Sequence, residues 1–215
     1  MSTDVIKPEI SKQALLGKIE FEKDSNFIKV DSKYTNKTTY LRNATYDAFL
    51  RMYNDALKDN IHLHILSGAR NFNYQKGIWE RKWQRYSDLE PKDRIAKIME
   101  YSSMPGTSRH HWGTDIDLNN LKNAYFETGE GKRIYDWLTE HANDYGFYQV
   151  YTEKSNGRTG YNLERWHWSY MPLAKDYLQM YNDSITYNNI SGFSGSEYAE
   201  DLQIIERYVN GIDGY

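Results

Sequence analysis

The chain has 215 residues, of which 27% are charged, and a formal net charge of −3. That length suits one domain with appendages and is ample for a hydrophobic core. The charge, with no dense basic run, excludes a nucleic-acid binder that tracks phosphates. Mean hydropathy is −0.86, and no apolar run approaches the roughly 20 residues that a bilayer span needs.

The chain has no cysteine, so disulfides and thiolate metal sites are excluded, and any transition-metal site must be built from histidine and carboxylate. Twenty tyrosines and six tryptophans combine apolar area with a polar handle, which suits a wet cleft that grips a polymer. A plain compositional bias toward Tyr, Asn and Lys would give the same count. The opening "MSTDVIKPEI" lacks a charged region followed by an apolar one, so no signal peptide is read there.

Residues 1 to about 40 read as an irregular extension, with "FIKV" (Phe27 to Val30) as a short edge strand. Tyr46, Phe49, Leu50, Tyr53 and Leu57 recur at helical spacing, which predicts a helix over 45–58 with Asn43 as its cap. "IHLHIL" (Ile61 to Leu66) alternates as a strand does and ends at the glycine of "SGAR". "NYQKGIWERKWQRY" predicts a helix over 73–86, and Pro91 in a first turn starts another. "TDIDL" reads as a short strand. Ile134, Trp137, Leu138, His141 and Tyr145 predict an amphipathic helix closed by Gly146. "FYQVY" and "RWHWSY" read as strands on either side of a polar loop, 152–160, and a helix follows to about Tyr181. "NNISGFSGS" reads as a linker, and "EYAEDLQIIERYV" as a small terminal helix. Helices and short strands without βαβ alternation predict an α+β fold, a small antiparallel sheet flanked by helices.

Only six histidines are present, and two of them stand in "SRHHWGTDIDL", Ser108 to Leu118. His110 and His111 are adjacent, so they point apart and at most one serves a given site. Gly113 permits a tight turn that brings His110 and the following strand to one point. Asp115 and Asp117 share a strand face, so spacing does not choose between them. His167, in "ERWHW", offers a third ligand, and Glu164 precedes it by three positions. Two imidazoles, one carboxylate ligand and one free carboxylate are the components of a hydrolytic zinc site, with one coordination position left for water. In a regular strand positions 164 and 167 face opposite sides, so the chain must turn or bulge there. His62 and His64 share one face of an ordinary strand and read as its polar face. His141, on an apolar helix face, reads as structural.

Taken together these segments resemble a family. "SRHHWGTDID" fits S-x-H-x-x-G-x-x-x-D, "ERWHW" fits E-x-x-H-W, and "SGARNFNYQ" (Ser67 to Gln75) fits S-G-x-R-x-x-x-x-Q upstream of both. Their order and spacing resemble VanY-type D-alanyl-D-alanine carboxypeptidases, zinc peptidases of bacterial cell-wall peptides with the fold shared by hedgehog domains. The resemblance covers about residues 40–172. It implies His110, Asp117 and His167 as ligands of one zinc ion, Glu164 as general base, and Arg70 as the cation that holds the peptide's carbonyl or carboxylate. It also implies Gln75 and Ser108 as substrate contacts and Tyr151 as a residue lining the cleft. Two departures stand out: Asp115 where the family usually has a small residue, and Arg165 where a proline often precedes Trp-His.

The expected organisation is an N-terminal extension packed on the core over 1–40, a zinc peptidase domain over 41–182, and a linker with a short helix over 183–215. The expected activity is removal of the terminal D-Ala, or another C-terminal residue, from peptidoglycan stem peptides by a metal-activated water. An endopeptidase cutting cross-links at the same site, and a catalytically silent hedgehog-like binding module, are the alternatives. Murein lies outside the cytoplasmic membrane, so an exported protein is expected, without nucleic-acid partners, without a transmembrane segment and monomeric.

Overall fold

The computed structural model describes residues 10–214. A short helix, α1 (Lys12–Leu15), leads into a two-stranded antiparallel ribbon of β1 (Phe27–Lys29) and β2 (Tyr40–Arg42). Then come α2 (Asn43–Lys58), β3 (Ile65–Ser67), α3 (Phe72–Arg85), α4 (Pro91–Ile98), β4 (Asp115–Leu118) and α5 (Gly129–His141). The chain continues through β5 (Phe147–Tyr148), β6 (His167–Tyr170) and α6 (Met171–Ser184). The main sheet is antiparallel throughout in the order β3-β4-β6-β5. The fold is α+β, as the mixture of elements predicts. Among the described residues no helix is long and apolar enough to cross a membrane.

The sheet lies between two cores. One face packs on α2 and α5 through Ile65, Ile116, Leu118 and Trp168, against Phe49, Met52 and Leu138. The second core gathers α1, α3, α4 and α6 around Trp79, Trp112 and Tyr181. Because side chains alternate along a strand, Ile116 and Trp168 enter the first core while Asp115, Asp117, His167 and Ser169 take the opposite face. All four residues of β4 are buried. The sheet thus presents a polar face to the interior rather than to water.

Several local expectations shift, each for a visible reason. Arg42, not Asn43, flanks α2, and the Asn43 amide donates to the Ser25 carbonyl at 3.0 Å instead of capping. The strand expected over 61–66 is paired only from Ile65. Ile61, Leu63 and Ile65 are buried as the alternation predicts. However, β4 stops at Asn119, in a left-handed conformation with φ 61°, and the Asn119 side chain bonds the His62 carbonyl and the His64 amide in place of a ladder. Only Phe147 and Tyr148 of "FYQVY" pair. Arg165 and Trp166 belong to a turn, closed by the His167 amide on the Glu164 carbonyl at 3.2 Å, that precedes β6. That is the turn the spacing of Glu164 and His167 requires.

The largest difference lies after α6. "NNISGFSGS" is packed, not linker-like: Ile190 and Phe193 are buried in the second core. The Trp79 indole donates to the Ser194 carbonyl at 2.8 Å. The terminal helix is broken as well. Gln203 is left-handed with φ 51°, leaving a 3-10 turn at Ser196–Tyr198 and a π-helical turn at Ile205–Val209. The apolar residues are too few and too irregularly spaced to announce this packing; the rings of Trp79 and Phe72 lie against Phe193.

We expect Phe193→Ala to lower unfolding free energy by about 3–5 kcal/mol, the cost of deleting a buried aromatic, measured by urea denaturation. A change below about 0.5 kcal/mol, ordinary for an exposed linker position, would show that the packing of this segment contributes nothing.

Candidate metal centre

Three buried side chains converge on the polar face of the sheet. A 3-10 turn, Arg109–Trp112, carries His110 and ends at Gly113 in the left-handed region with φ 71°. A Cβ at position 113 would lie 2.4 Å from the Phe27 ring, so both the turn and the packing require glycine. The chain then enters β4, where Asp117 stands directly opposite His167 of β6. One ligand atom from each of His110, Asp117 and His167 lies within 4.8 Å of the others. Sequence spacing left Asp115 and Asp117 equal; the structure separates them, since Asp115 is outside this group.

The protonation pattern suits a cation. The Nδ1 of His110 is 2.8 Å from the Gly68 carbonyl, which can only accept, so Nδ1 carries the proton and Nε2 a bare lone pair. Burial, then the neighbouring Arg70, holds the His110 pKa below the ordinary value, which keeps it neutral. Its Nε2 is buried without a hydrogen-bond partner and faces Asp117 Oδ1 at 3.3 Å. Burial opposes the Asp117 charge, but the two histidines outweigh it and leave that carboxyl well below the usual range. Two electron-pair donors facing each other in a dry site call for a positive charge between them. His167 Nδ1 lies 3.1 Å from Asp117 Oδ1. Bonds of about 2.0–2.2 Å in a tetrahedral zinc site put donor atoms roughly 3.4 Å apart, so two imidazoles and a carboxylate at these separations fit that ion. Burial opposes charge on His167 too, yet Asp115 and Asp117 together raise its pKa to about 9.

Asp115 is held elsewhere. Its oxygens accept from Arg109 Nε at 3.1 Å, Thr114 at 2.7 Å, Ser169 at 2.9 Å and His167 Nε2 at 2.8 Å. Burial pushes this carboxyl up, and Arg109 with His167 more than reverses the effect.

Glu164 closes the site. It is buried, 3.7 Å from His167 Nδ1, and burial pushes its pKa up to about 8. Arg70 follows β3, and its backbone is fixed at both ends of the residue. Its amide donates to the His110 carbonyl at 3.1 Å, and its carbonyl accepts from His111 Nδ1 at 2.6 Å. His111 Nε2 accepts from the Gly106 amide at 2.9 Å; burial keeps this imidazole neutral, with its pKa pushed down to about 3. The adjacent histidines do point apart: His110 toward Asp117, His111 toward the main chain that carries Arg70.

The remaining expected residues are buried as well. Gln75 of α3 is buried, donates to the Ser103 carbonyl at 2.8 Å, and leaves Oε1 unpaired. Ser108 is buried with an unpaired Oγ. The Tyr151 ring lies 4.6 Å from that of His167. Two further residues escaped the sequence reading. Tyr161, 5.0 Å from Tyr151 ring to ring, has a buried unpaired hydroxyl. Lys82 of α3 donates to Ser102 at 2.5 Å and is half-buried, which lowers its pKa. Lys82 is seven residues after Gln75, on the same helix face, a signal that was available; Tyr161, in a polar loop, carries no pattern. His62, His64 and His141 lie outside the His110, Asp117 and His167 group, and His141 rests against Trp137 with ring centroids 4.9 Å apart.

Comparison with known proteins gives this geometry a context. The D-alanyl-D-alanine carboxypeptidase of Enterococcus faecalis (strain ATCC 700802 / V583) is 26% identical over 157 residues, 72% of this chain and 53% of the relative. The chain spans about half or less of the length of the curated relatives it matches. Among solved structures, the LdcB LD-carboxypeptidase aligns with a TM-score of 0.58 at 24% identity, covering 86% of this chain and 80% of that one. A vancomycin-resistance D,D-pentapeptidase VanY in complex with Zn(II) aligns with a TM-score of 0.56 at 21% identity, covering 84% and 92%. At these identities the two structures establish a shared fold. The family model for VanY, D-alanyl-D-alanine carboxypeptidase, matches residues 38–173, a span that contains every residue of the metal centre, and the chain belongs to that family.

Proposed function

We propose that this chain is a zinc-dependent carboxypeptidase that removes the terminal D-alanine, or another C-terminal residue, from peptidoglycan stem peptides. The observation that carries the reading is the bare, buried Nε2 of His110 facing Asp117, with His167 beside it and Glu164 within 3.7 Å of that imidazole. His110, Asp117 and His167 would hold the ion. Zinc in such a donor set makes water acidic near neutral pH and polarises a carbonyl.

The chain's own groups supply the rest. Glu164 takes the proton of the attacking water and passes it to the leaving amine; its raised proton affinity matches that task near neutral pH. Arg70, fixed through its backbone, offers a guanidinium fork that pairs with a terminal carboxylate or with the carbonyl oxygen as it gains charge. It also lines a cavity of about 360 Å³ with Ser67, Tyr40 and Tyr74. The unpaired oxygens of Gln75 and Ser108 are costly to bury unless a ligand satisfies them, which supports a substrate role. Tyr151 covers His167. Zn(II) in the VanY structure and the D-alanine-D-alanine bound by VanYB agree with this reading. Such substrates lie outside the cytoplasmic membrane, where this reading places the protein.

Three measurements test it. Metal analysis is expected to give one zinc per chain, strongly reduced in His167→Ala and unchanged in His62→Ala and His64→Ala; loss from the latter pair would move the site elsewhere. Glu164→Gln is expected to keep zinc and fold while turnover on a defined stem peptide falls about 10²- to 10⁴-fold. Near wild-type turnover in that zinc-loaded variant would remove Glu164 as the base. Paired substrates that differ only in an amidated C-terminus report what Arg70 reads. A carboxylate-reading site is expected to lose kcat/KM about tenfold or more on amidation, since a charged hydrogen bond contributes about 1.5–3 kcal/mol. Equal rates would favour an endopeptidase.

A further inference from the structure

We propose that Asp115 is a positioning residue for the metal centre: it holds His167 with a proton on Nε2, so that Nδ1 is the nitrogen presented to the ion. The proposal rests on the metal reading above. An imidazole can turn its ring over and offer either nitrogen, so a histidine ligand needs a partner that fixes which one is free. On this face of the sheet that partner is Asp115 Oδ2, 2.8 Å from His167 Nε2. A carboxylate oxygen only accepts, so Nε2 must donate. The other nitrogen, Nδ1, also faces a carboxylate oxygen, Asp117 Oδ1 at 3.1 Å, with Glu164 Oε2 at 3.7 Å, so it too donates in the metal-free ring. A cation held by Asp117 would take the place of that proton and leave the one on Nε2 to Asp115.

Asp115 can do this because it is itself immobilised. Arg109 Nε reaches Oδ2 at 3.1 Å, while Thr114 and Ser169 donate to Oδ1. Arg109 also donates to the Ser169 hydroxyl at 2.7 Å through Nη2, which ties the ends of the network together. Asp115 and Ser169 are fully buried and Arg109 is 1% exposed, so no water competes for these bonds. The strands set the arrangement: Asp115 is the register partner of Ser169, as Asp117 is of His167.

Two other roles for Asp115 fit less well. As a metal ligand it would need a free lone pair aimed at His110, yet its oxygens already take four donors and it stands outside the converging group. As a plain ion pair with Arg109 it would need no contact with His167.

The test uses the zinc-loaded chain, with Asp115→Asn and Asp115→Ala. Zinc affinity is read by chelator competition, and the His167 tautomer by long-range ¹H–¹⁵N correlation of the imidazole nitrogens. In the wild type, His167 is expected to show a protonated Nε2 and a metal-bound Nδ1. Both variants are expected to bind zinc about 10- to 100-fold more weakly, with the Nε2 proton signal lost or shifted. Asp115→Asn keeps the size of the side chain, so it reports even if Asp115→Ala fails to fold. A wild type that binds zinc through His167 Nε2 overturns the proposal, and so does unchanged zinc affinity in Asp115→Asn. A wild type that takes up no zinc overturns the metal reading itself, an outcome distinct from both.

Discussion

The register between β4 and β6 is the constraint on which the rest depends. Asp115, Ile116 and Asp117 stand opposite Ser169, Trp168 and His167. A slip of one residue would turn Ile116 and Trp168 toward the polar side and send the carboxylates into the core beneath α2 and α5. The penalty for burying two unpaired carboxylates in an apolar core far exceeds any loss in strand pairing. The same two strands therefore fix both the apolar packing on one face and the separation of the polar groups on the other.

Buried charge on that second face is balanced locally. Asp115 has Arg109, Asp117 has the two imidazoles, and Glu164 has His167 and Arg70 within electrostatic reach. The balance is uneven. Asp115 and Asp117 are driven to their ionised forms, whereas burial pushes Glu164 up to about 8. Three carboxylates gathered around His167 thus hold different proton affinities.

Segments beyond the family match support the face from outside. Leu15 of α1 accepts from the Trp112 indole at 3.2 Å, and the Gly17 backbone lies so close to the His111 ring that a Cβ would stand 2.3 Å from Nδ1. At the other end, the buried Arg158 donates to the Gly211 and Thr159 carbonyls, and Asp213 accepts from Thr152 and Asn156. These contacts pin the loop between Tyr151 and Glu164. Rigid surroundings matter at a metal site, because ligand spacing tolerates little drift.

The sequence by itself determined the chemistry and the long helices. Periodicity placed α2, α3, α5 and α6, and glycine and histidine spacing marked Ser108 to Asp117 and Glu164 to His167, because helical repeats and tight turns are written in neighbouring residues. Strand lengths escaped it, since Asn119 replaces a backbone ladder with side-chain bonds that no local pattern shows. Strand spacing did not choose Asp117 over Asp115, although the S-x-H-x-x-G-x-x-x-D pattern did. Both share one strand face, and only the position of Arg109 and the pairing with β6 gives them different partners. The packing of Phe193 was decided in the same way, by Trp79 and Phe72, more than a hundred residues earlier in the chain. Non-local contacts assign partners, and partners decide which of two chemically equivalent residues joins His110 and His167.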